Sequence, residues 1–363
     1  METHIHRFQV GQHSKELLDR FLSVRDAIYK DNYYYYAEND THRLILEYYA
    51  KRPDYTFECL LAENKGRDIA RVLVGRCDAY SFGIFGFFEC ENNPYVFNQI
   101  MEEAFKVSRE QGSREIFGPI DLNAFHNWQF LTQSITSERW IGDPYHQSFY
   151  PDLFFNAGWG KGESSFSGVI KPDHHETLMK IYPAVREEIE KQGIVIVNLN
   201  DIAIDDFMKP VYNLICTNFS AEDHRLAPVD YDVFEFQTRN LLSYMTDPNS
   251  LWLYYRDDEL VGFLSNYHNF IDRVCNPDNQ KKKPEGNEKN QPVFATKTVA
   301  VDRNFRGGAL FKAIVMGISD YSMRTYGHPL AWRRSNIKHD YIRKLSGMSE
   351  ITQRYITFKR PLV

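Results

Sequence analysis

The chain has 363 residues, 43% hydrophobic and 25% charged, which excludes wholesale disorder and a collagen-like repeat and leaves room for two domains. A net charge of -6 excludes a global basic field for nucleic acid. Five cysteines, an odd number with no C-x-x-C pair, argue against a disulfide framework and a cysteine zinc site, and for a reducing, cytoplasmic compartment. The N-terminus shows no signal-peptide pattern and no apolar run approaches the ~20 residues of a membrane span. Aromatic content is high, with 26 Phe and 23 Tyr. The phenylalanines of 82–88 read as core, and the scattered tyrosines, each with a polar handle, are candidates for a groove between domains.

In chain order, apolar residues at helical spacing predict a helix over 15–29 and a second over 41–51, on either side of the run Tyr33 to Tyr36. Strands follow at 57–62 and 69–75 around a turn at 63–66, then a dense aromatic strand at 81–88. The turn Asn92-Asn-Pro94 opens a helix over 95–111, which Gly112 stops. A short strand at 115–117 runs into Gly118-Pro119, and 154–169 carries a glycine-laced turn and one more strand.

After Lys171-Pro172 the order restarts. A helix is expected over 176–192, a strand over 193–199, and helices over 206–219 and 232–246. A hairpin (251–255 and 260–267) turns at Asp257-Asp258. Residues 276–291, rich in Asn, Lys, Pro, Gly and Glu, predict a solvated loop. A strand (293–301), helix (310–326), strand (330–332), helix (336–345) and strand (354–358) complete the chain. The halves share an element order without evident sequence identity, so a tandem duplication of an α+β unit explains the length.

The strongest local signal is Lys297-Thr-Val-Ala-Val-Asp-Arg-Asn-Phe-Arg-Gly-Gly-Ala-Leu310, an apolar strand that enters a helix through a loop holding Arg306, Gly307 and Gly308. Glycines let backbone N–H groups approach an anion, the helix N-terminus favours negative charge, and Arg306 adds a charge-assisted contact. A plain strand-to-helix turn using glycine for its φ freedom accounts for the same residues equally well.

This stretch resembles the pyrophosphate loop of the GNAT superfamily of acyl-CoA-dependent N-acyltransferases, an aromatic-Arg-Gly-x-Gly-x-Gly pattern. The resemblance aligns Phe305, Arg306, Gly307 and Gly308 with the start of that loop, and Val299 and Val301 with the strand whose backbone pairs with the pantetheine arm. Ala309, Leu310 and Phe311 stand where further Gly or Ala is expected. Near the C-terminus, Asn336-Ile-Lys-His-Asp-Tyr-Ile-Arg-Lys-Leu-Ser-Gly-Met348 is similar to the family's Asn-x-x-Ala-x-x-x-Tyr-x-x-x-Gly-Phe stretch. Asn336 and Gly347 match. Arg343 occupies the position of the tyrosine acid, and Tyr341 is the substitute candidate for protonating the departing thiolate.

The first half is more diffusely similar to bacterial tandem GNAT-like proteins, through 21–31, Gly75-Arg-Cys, Gly83-Ile-Phe-Gly-Phe-Phe-Glu89 and Gly118-Pro-Ile-Asp-Leu-Asn123. The resemblance thus implies two GNAT-like domains, 1–170 and 171–363, each a mostly antiparallel sheet with a splayed central strand flanked by helices. The first is expected to lack coenzyme A, because its loop has no glycine and carries Glu89 and Glu91. The implied activity transfers an acyl group from acetyl-CoA or another acyl-CoA to a primary amine of a small molecule or peptide, without a metal.

Asn123, His126 and Tyr150 are candidate acceptor-binding residues, with Asn123 equally suited to capping a turn. His146 and Tyr150 are expected on a connection facing the interdomain groove, and Glu235 and Asp247 are candidate bases. His4/His6 and His174/His175 lack metal-site spacing and partners. Two alternatives remain open: a catalytically silent binding protein, or an aminoacyl-tRNA-dependent peptidyl transferase. The basic cluster Arg333, Arg334, Lys338, Arg343 and Lys344 would bear on the second.

Overall fold

The computed structural model describes residues 3–135, 139–242, 245, 247–269, 271–275, 294–336 and 340–362; the predicted loop 276–291 lies outside them. The first half runs β1 (His4–Phe8), α1 (Lys15–Tyr29), α2 (Asn39–Tyr49), β2 (Tyr55–Asn64), β3 (Arg67–Cys77) and β4 (Gly83–Cys90). It continues with α3 (Pro94–Glu110), β5 (Glu115–Gly118), β6 (Phe130–Ser134), α4 (Tyr150–Asn156) and β7 (Gly160–Ile170).

The second half begins with α5 (Pro172–Lys191), β8 (Val195–Asn198), α6 (Ile204–Asn218), α7 (Ala221–His224) and α8 (Tyr231–Leu242). β9 (Leu251–Arg256), β10 (Glu259–His268), α9 (Ile271–Cys275) and β11 (Phe294–Val301) follow. The chain closes with α10 (Ala309–Tyr326), β12 (Ala331–Asn336), α11 (Asp340–Gly347) and β13 (Ser349–Pro361).

Local chemistry accounts for the main elements. On α3, Val96, Phe97, Ile100, Met101, Ala104 and Phe105 fall on one face and are buried, and the Asn93 side chain caps its start by accepting from the Tyr95 and Val96 N–H groups. β4 is buried on both faces, as its unbroken aromatic run requires. α10 ends at Gly327, whose φ of +76° takes the left-handed position of a helix C-terminus.

All strands of the described residues join one thirteen-stranded sheet, in the order β1-β2-β3-β4-β5-β13-β7-β12-β11-β10-β9-β8, with β6 on β13. Neighbours are antiparallel except for two parallel pairs, β4 with β5 and β11 with β12. Each half therefore contributes five strands that lead inwards to a parallel pair, and the central places are exchanged. β7, from the first half, pairs with β12, from Ala331↔Val169 to Asn336↔Ser165. β13, from the second half, pairs with β5, from Phe358↔Gly118 to Pro361↔Glu115. β7 and β13 pair with each other and join the two sheets.

The cores follow the exchange. Ile356, Phe358 and Leu362 pack in the first-half core with Phe85, Phe97, Phe154 and Trp159. Phe166 and Ile170 pack in the second-half core with Leu310, Ile314 and Trp332.

Candidate functional site

In both halves the parallel central strands part almost as soon as they meet. β11 and β12 share one register pair, Thr296↔Trp332; β4 and β5 share two, Gly83↔Ile116 and Ile84↔Phe117. The two clefts then differ. In the first half the chain after β5 fills the gap: Ile120 donates its N–H to the Phe85 carbonyl at 2.7 Å, and the Phe87 N–H donates to the Asp121 carboxylate at 2.5 Å. In the second half, among the described residues, β11 beyond Thr296 pairs only with β10, through Val299↔Leu264 and Val301↔Gly262.

Past Val301 the chain makes the predicted turn. Asp302 caps it by accepting from the Asn304 N–H at 2.9 Å, Gly307 adopts φ of +77°, and α10 starts at Ala309 with no side-chain cap. Among the described residues the N–H groups of Gly307 and Gly308 donate to nothing. A Cβ on Gly307 would meet nothing within 4 Å, and one on Gly308 only the Phe305 carbonyl at 3.4 Å. The space on the side-chain side of these two glycines is open. Phe305, Arg306, Gly308, Ala309 and Leu310 line a pocket of about 560 Å³, opposite Gln192, Arg256, Asp257 and Glu259.

The amides and the helix N-terminus suit an anion; the hairpin brings Asp257 and Glu259 to the same pocket together with Arg256, which pairs with Asp257 at 3.6 Å. Arg306 is turned towards protein groups, donating to the Asn218 side chain at 2.6 Å and to the Val301 carbonyl at 3.4 Å. Asn336, at the end of β12, donates to Glu163 at 3.0 Å, and Glu163 also pairs with Arg225 at 2.6 Å. Tyr341 falls within α11, and its side chain lies outside the described part of the structure.

The acceptor candidates do not converge. Asn123 is fully buried and engaged at both ends, donating to the Ala227 carbonyl at 2.8 Å and accepting from the Phe125 N–H at 3.0 Å. His126 sits near it, 3.0 Å from the Tyr49 hydroxyl and 3.1 Å from the Gln237 amide, and burial pushes it down to about 4. These two residues tie the first half to 227 and 237 of the second.

Tyr150 lies elsewhere. The expectation that it faces an interdomain groove gives way to a fully buried position in the first-half core, where it donates to Glu89 at 2.8 Å and accepts from the Cys90 N–H at 3.0 Å. Glu89 is likewise turned inwards, 3.3 Å from the Arg25 guanidinium. A buried carboxylate needs such partners, and the interior of the sheet supplies them.

Asp247 accepts from the Tyr321 hydroxyl at 2.8 Å and also from Tyr326, and Glu235 pairs with Arg239. Of the basic C-terminal cluster, Arg333 is buried and paired with Asp143, Arg334 donates to the Trp128 carbonyl at 3.1 Å, and Lys338 lies outside the described residues. Only Arg343 and Lys344 are exposed among the described members of that cluster. Among the described residues no group of three or more His, Cys, Asp or Glu could hold a metal, and no helix is long and apolar enough to cross a membrane.

Sequence reasoning passed over Lys297, the residue at which the second cleft opens. The signal was a lone charged residue inside the apolar strand Phe294–Val301.

No family model matches the chain, and no curated protein matches it. Solved structures do. A tandem GNAT protein from the clavulanic acid biosynthesis pathway, 12% identical, aligns over 100% of this chain and 99% of its own with a TM-score of 0.50. A probable N-acyltransferase from Enterococcus faecalis V583, 10% identical, aligns over 100% of this chain and 73% of its own with a TM-score of 0.54. The chain has a tandem GNAT-like fold.

Proposed function

We propose that the chain is an acyl-CoA-dependent N-acyltransferase whose donor site lies in the second half, with a primary amine of a small molecule or peptide as acceptor. The observation that carries this reading is the cleft between β11 and β12, which leads directly to the unpaired Gly307 and Gly308 amides at the start of α10. Those amides would hold the pyrophosphate, and the edge of β11 at Val299 and Val301, where Arg306 already reaches the Val301 carbonyl, would pair with the pantetheine arm. Coenzyme A supplies the thioester. The chain's own part is to hold the donor extended and to present β11 backbone dipoles to the developing oxyanion. Arg306 would act indirectly, by bracing the turn against Asn218. Tyr341 and Asn336 stay in this reading as the thiolate's proton donor and a groove residue. The first half, its own cleft filled by Ile120 and Asp121, would support the second and carry no coenzyme.

Titration calorimetry with acetyl-CoA and longer acyl-CoAs tests the reading. Binding is expected for the wild type and is expected to be lost in Gly308→Glu, which sets a carboxylate in front of the amides. No binding at millimolar concentration ends it. A second reading, a GNAT-fold binding protein without turnover, is favoured by Asp257 and Glu259 beside the pocket. Binding without acyl transfer to any of a panel of amines would select it.

A further inference from the structure

Lys297 occupies an unusual place. Its neighbours Thr296 and Thr298 pair with adjacent residues of β10, Asn266 and Ser265, so Lys297 is the extra residue of a β-bulge. A bulge re-aims the side chain it carries, and this one stands one residue past the last β11–β12 pair. Its amine lies against Gly142, at φ of +73°, where any Cβ would collide with it. The Tyr267 ring on β10 is 5.7 Å away, and among the described residues the amine has no hydrogen-bond or ion-pair partner.

The charges facing it come from three elements. Arg333 and Arg334 lie on β12, and Asp143 lies in the connection after β6. Tyr355 of β13 reaches the same carboxylate. Asp143 is already taken by Arg333 and Tyr355, so the lysine faces two guanidinium groups and a carboxylate engaged elsewhere. Burial, with Arg334 and Arg333 adding to it against Asp143, pushes the amine down to about 8.

We propose that Lys297 is a nucleophilic amine and an acylation site of this chain, attacking the carbonyl carbon of an activated acyl group that enters the cleft. In the step, the ε-amine forms a C–N bond, the carbonyl's bond to its leaving sulfur or oxygen breaks, and the leaving group departs as thiolate or alkoxide. The amine's surplus proton goes to water, leaving an Nε-acyl-lysine. The choice of acyl thioesters as the natural donor class rests on the function proposed above; the nucleophilicity does not.

The test uses the full chain with two donors, p-nitrophenyl acetate and millimolar acetyl-CoA, read by peptide mass mapping. Near neutral pH an amine at about 8 holds far more free base than an ordinary lysine at ~10.4, offset in part by its lower basicity. Acetylation of Lys297 by the ester is expected about tenfold faster than that of the exposed Lys65, the net of a roughly 200-fold larger free-base fraction near pH 7 and the lower basicity. The advantage should shrink as the pH rises past 9. Lys297→Arg should lose the label, and Gly142→Ala, which crowds the amine, should slow labelling at Lys297 and leave Lys65 unchanged. Lys297 labelled no faster than Lys65 in the wild type overturns the proposal, whatever Gly142→Ala does to folding. Acetyl-CoA should label Lys297 in the wild type and not in Gly308→Glu. Labelling by the ester with none by acetyl-CoA would leave the nucleophile standing and count against the coenzyme site alone.

Discussion

The Asp143 carboxylate accepts a hydrogen bond from the Tyr355 hydroxyl at 2.9 Å and pairs with the buried Arg333. One acid from the first half thereby holds β13 and β12 together at the point where the strands are exchanged. Removing it leaves the buried guanidinium without a counter-charge and with the Gln353 side chain as its remaining acceptor. Asp143→Ala should cost about 3–5 kcal/mol, the usual penalty for breaking a buried pair, whereas Tyr355→Phe should cost about 1–3 kcal/mol for a lost buried partner. Replacing both Asp143 and Arg333 by apolar residues should recover much of the loss. Urea unfolding decides the matter, and a loss below about 1 kcal/mol for Asp143→Ala would show that Arg333 finds water or another acceptor.

Three histidines set an acid limit on stability. Burial pushes His126 and His146 down to about 4 and His42 to about 3. In the unfolded chain each would titrate near 6.5. Between about 6.5 and 4 the unfolded state therefore binds protons that the folded state refuses, so stability rises with pH across that window and falls on acidification. Each group adds at most about 1.4 kcal/mol per pH unit there. Thermal melts from pH 7 to 4.5 should fall steeply, and His126→Gln, which keeps a polar partner for Tyr49, should flatten the slope. An unchanged slope in that variant would remove His126 from the account.

The sequence made individual elements legible where one residue pattern decides them. The helix expected over 15–29 is α1 to the residue, and the hairpin at Asp257-Asp258 stands as expected. β1 was missed because His4-Ile-His-Arg-Phe8 alternates weakly, and β6 because only Phe130 and Leu131 of its five residues are apolar. The exchange of β7 and β13 had no local signature at all. The tyrosines show a similar limit. Tyr29, Tyr49, Tyr150, Tyr254, Tyr267 and Tyr355 are fully buried and so do not face a groove. Composition cannot tell a phenol that meets a ligand from one that meets Glu89 or Asp143. At the candidate site the glycine turn was readable and the importance of Lys297 was not, because a bulge depends on the partner strand's register.

Gly86 marks where the first cleft is closed. A Cβ there would run into the backbone of Ile120 and Asp121, the segment filling the gap. Since backbone cannot swing aside as a side chain can, Gly86→Ala should cost about 1–3 kcal/mol or displace the segment, as overpacked cores do. Gly11→Ala, with nothing within 4 Å, is the matched control and should be near neutral. If displacement opens the first cleft, acetyl-CoA binding by calorimetry should still show a single site, because the following loop, Cys90-Glu-Asn-Asn-Pro94, offers no glycine amides. A second site in Gly86→Ala would contradict the assignment of the donor to the second half alone.

The exchange also dictates how the chain can be divided. A fragment of 1–170 would keep β7, whose partners β12 and β13 belong to the second half, and would lack Ile356 and Phe358 from its own core. A fragment of 171–363 would lack Phe166 and Ile170 and would carry β13 with nothing to pair against. Each should expose apolar surface and an unpaired edge, and so aggregate or bind a hydrophobic dye. Mixed during refolding, the two should recover a soluble 1:1 complex with the circular dichroism of the intact chain. In contrast, joining 349–363 by a flexible linker to 1–159 keeps Trp159 in the core, supplies β5 with its natural neighbour and should yield a soluble first unit. Soluble, cooperatively melting 1–170 on its own would mean that β7 can take the place of β13 beside β5, and that the exchange contributes little to the stability of either half.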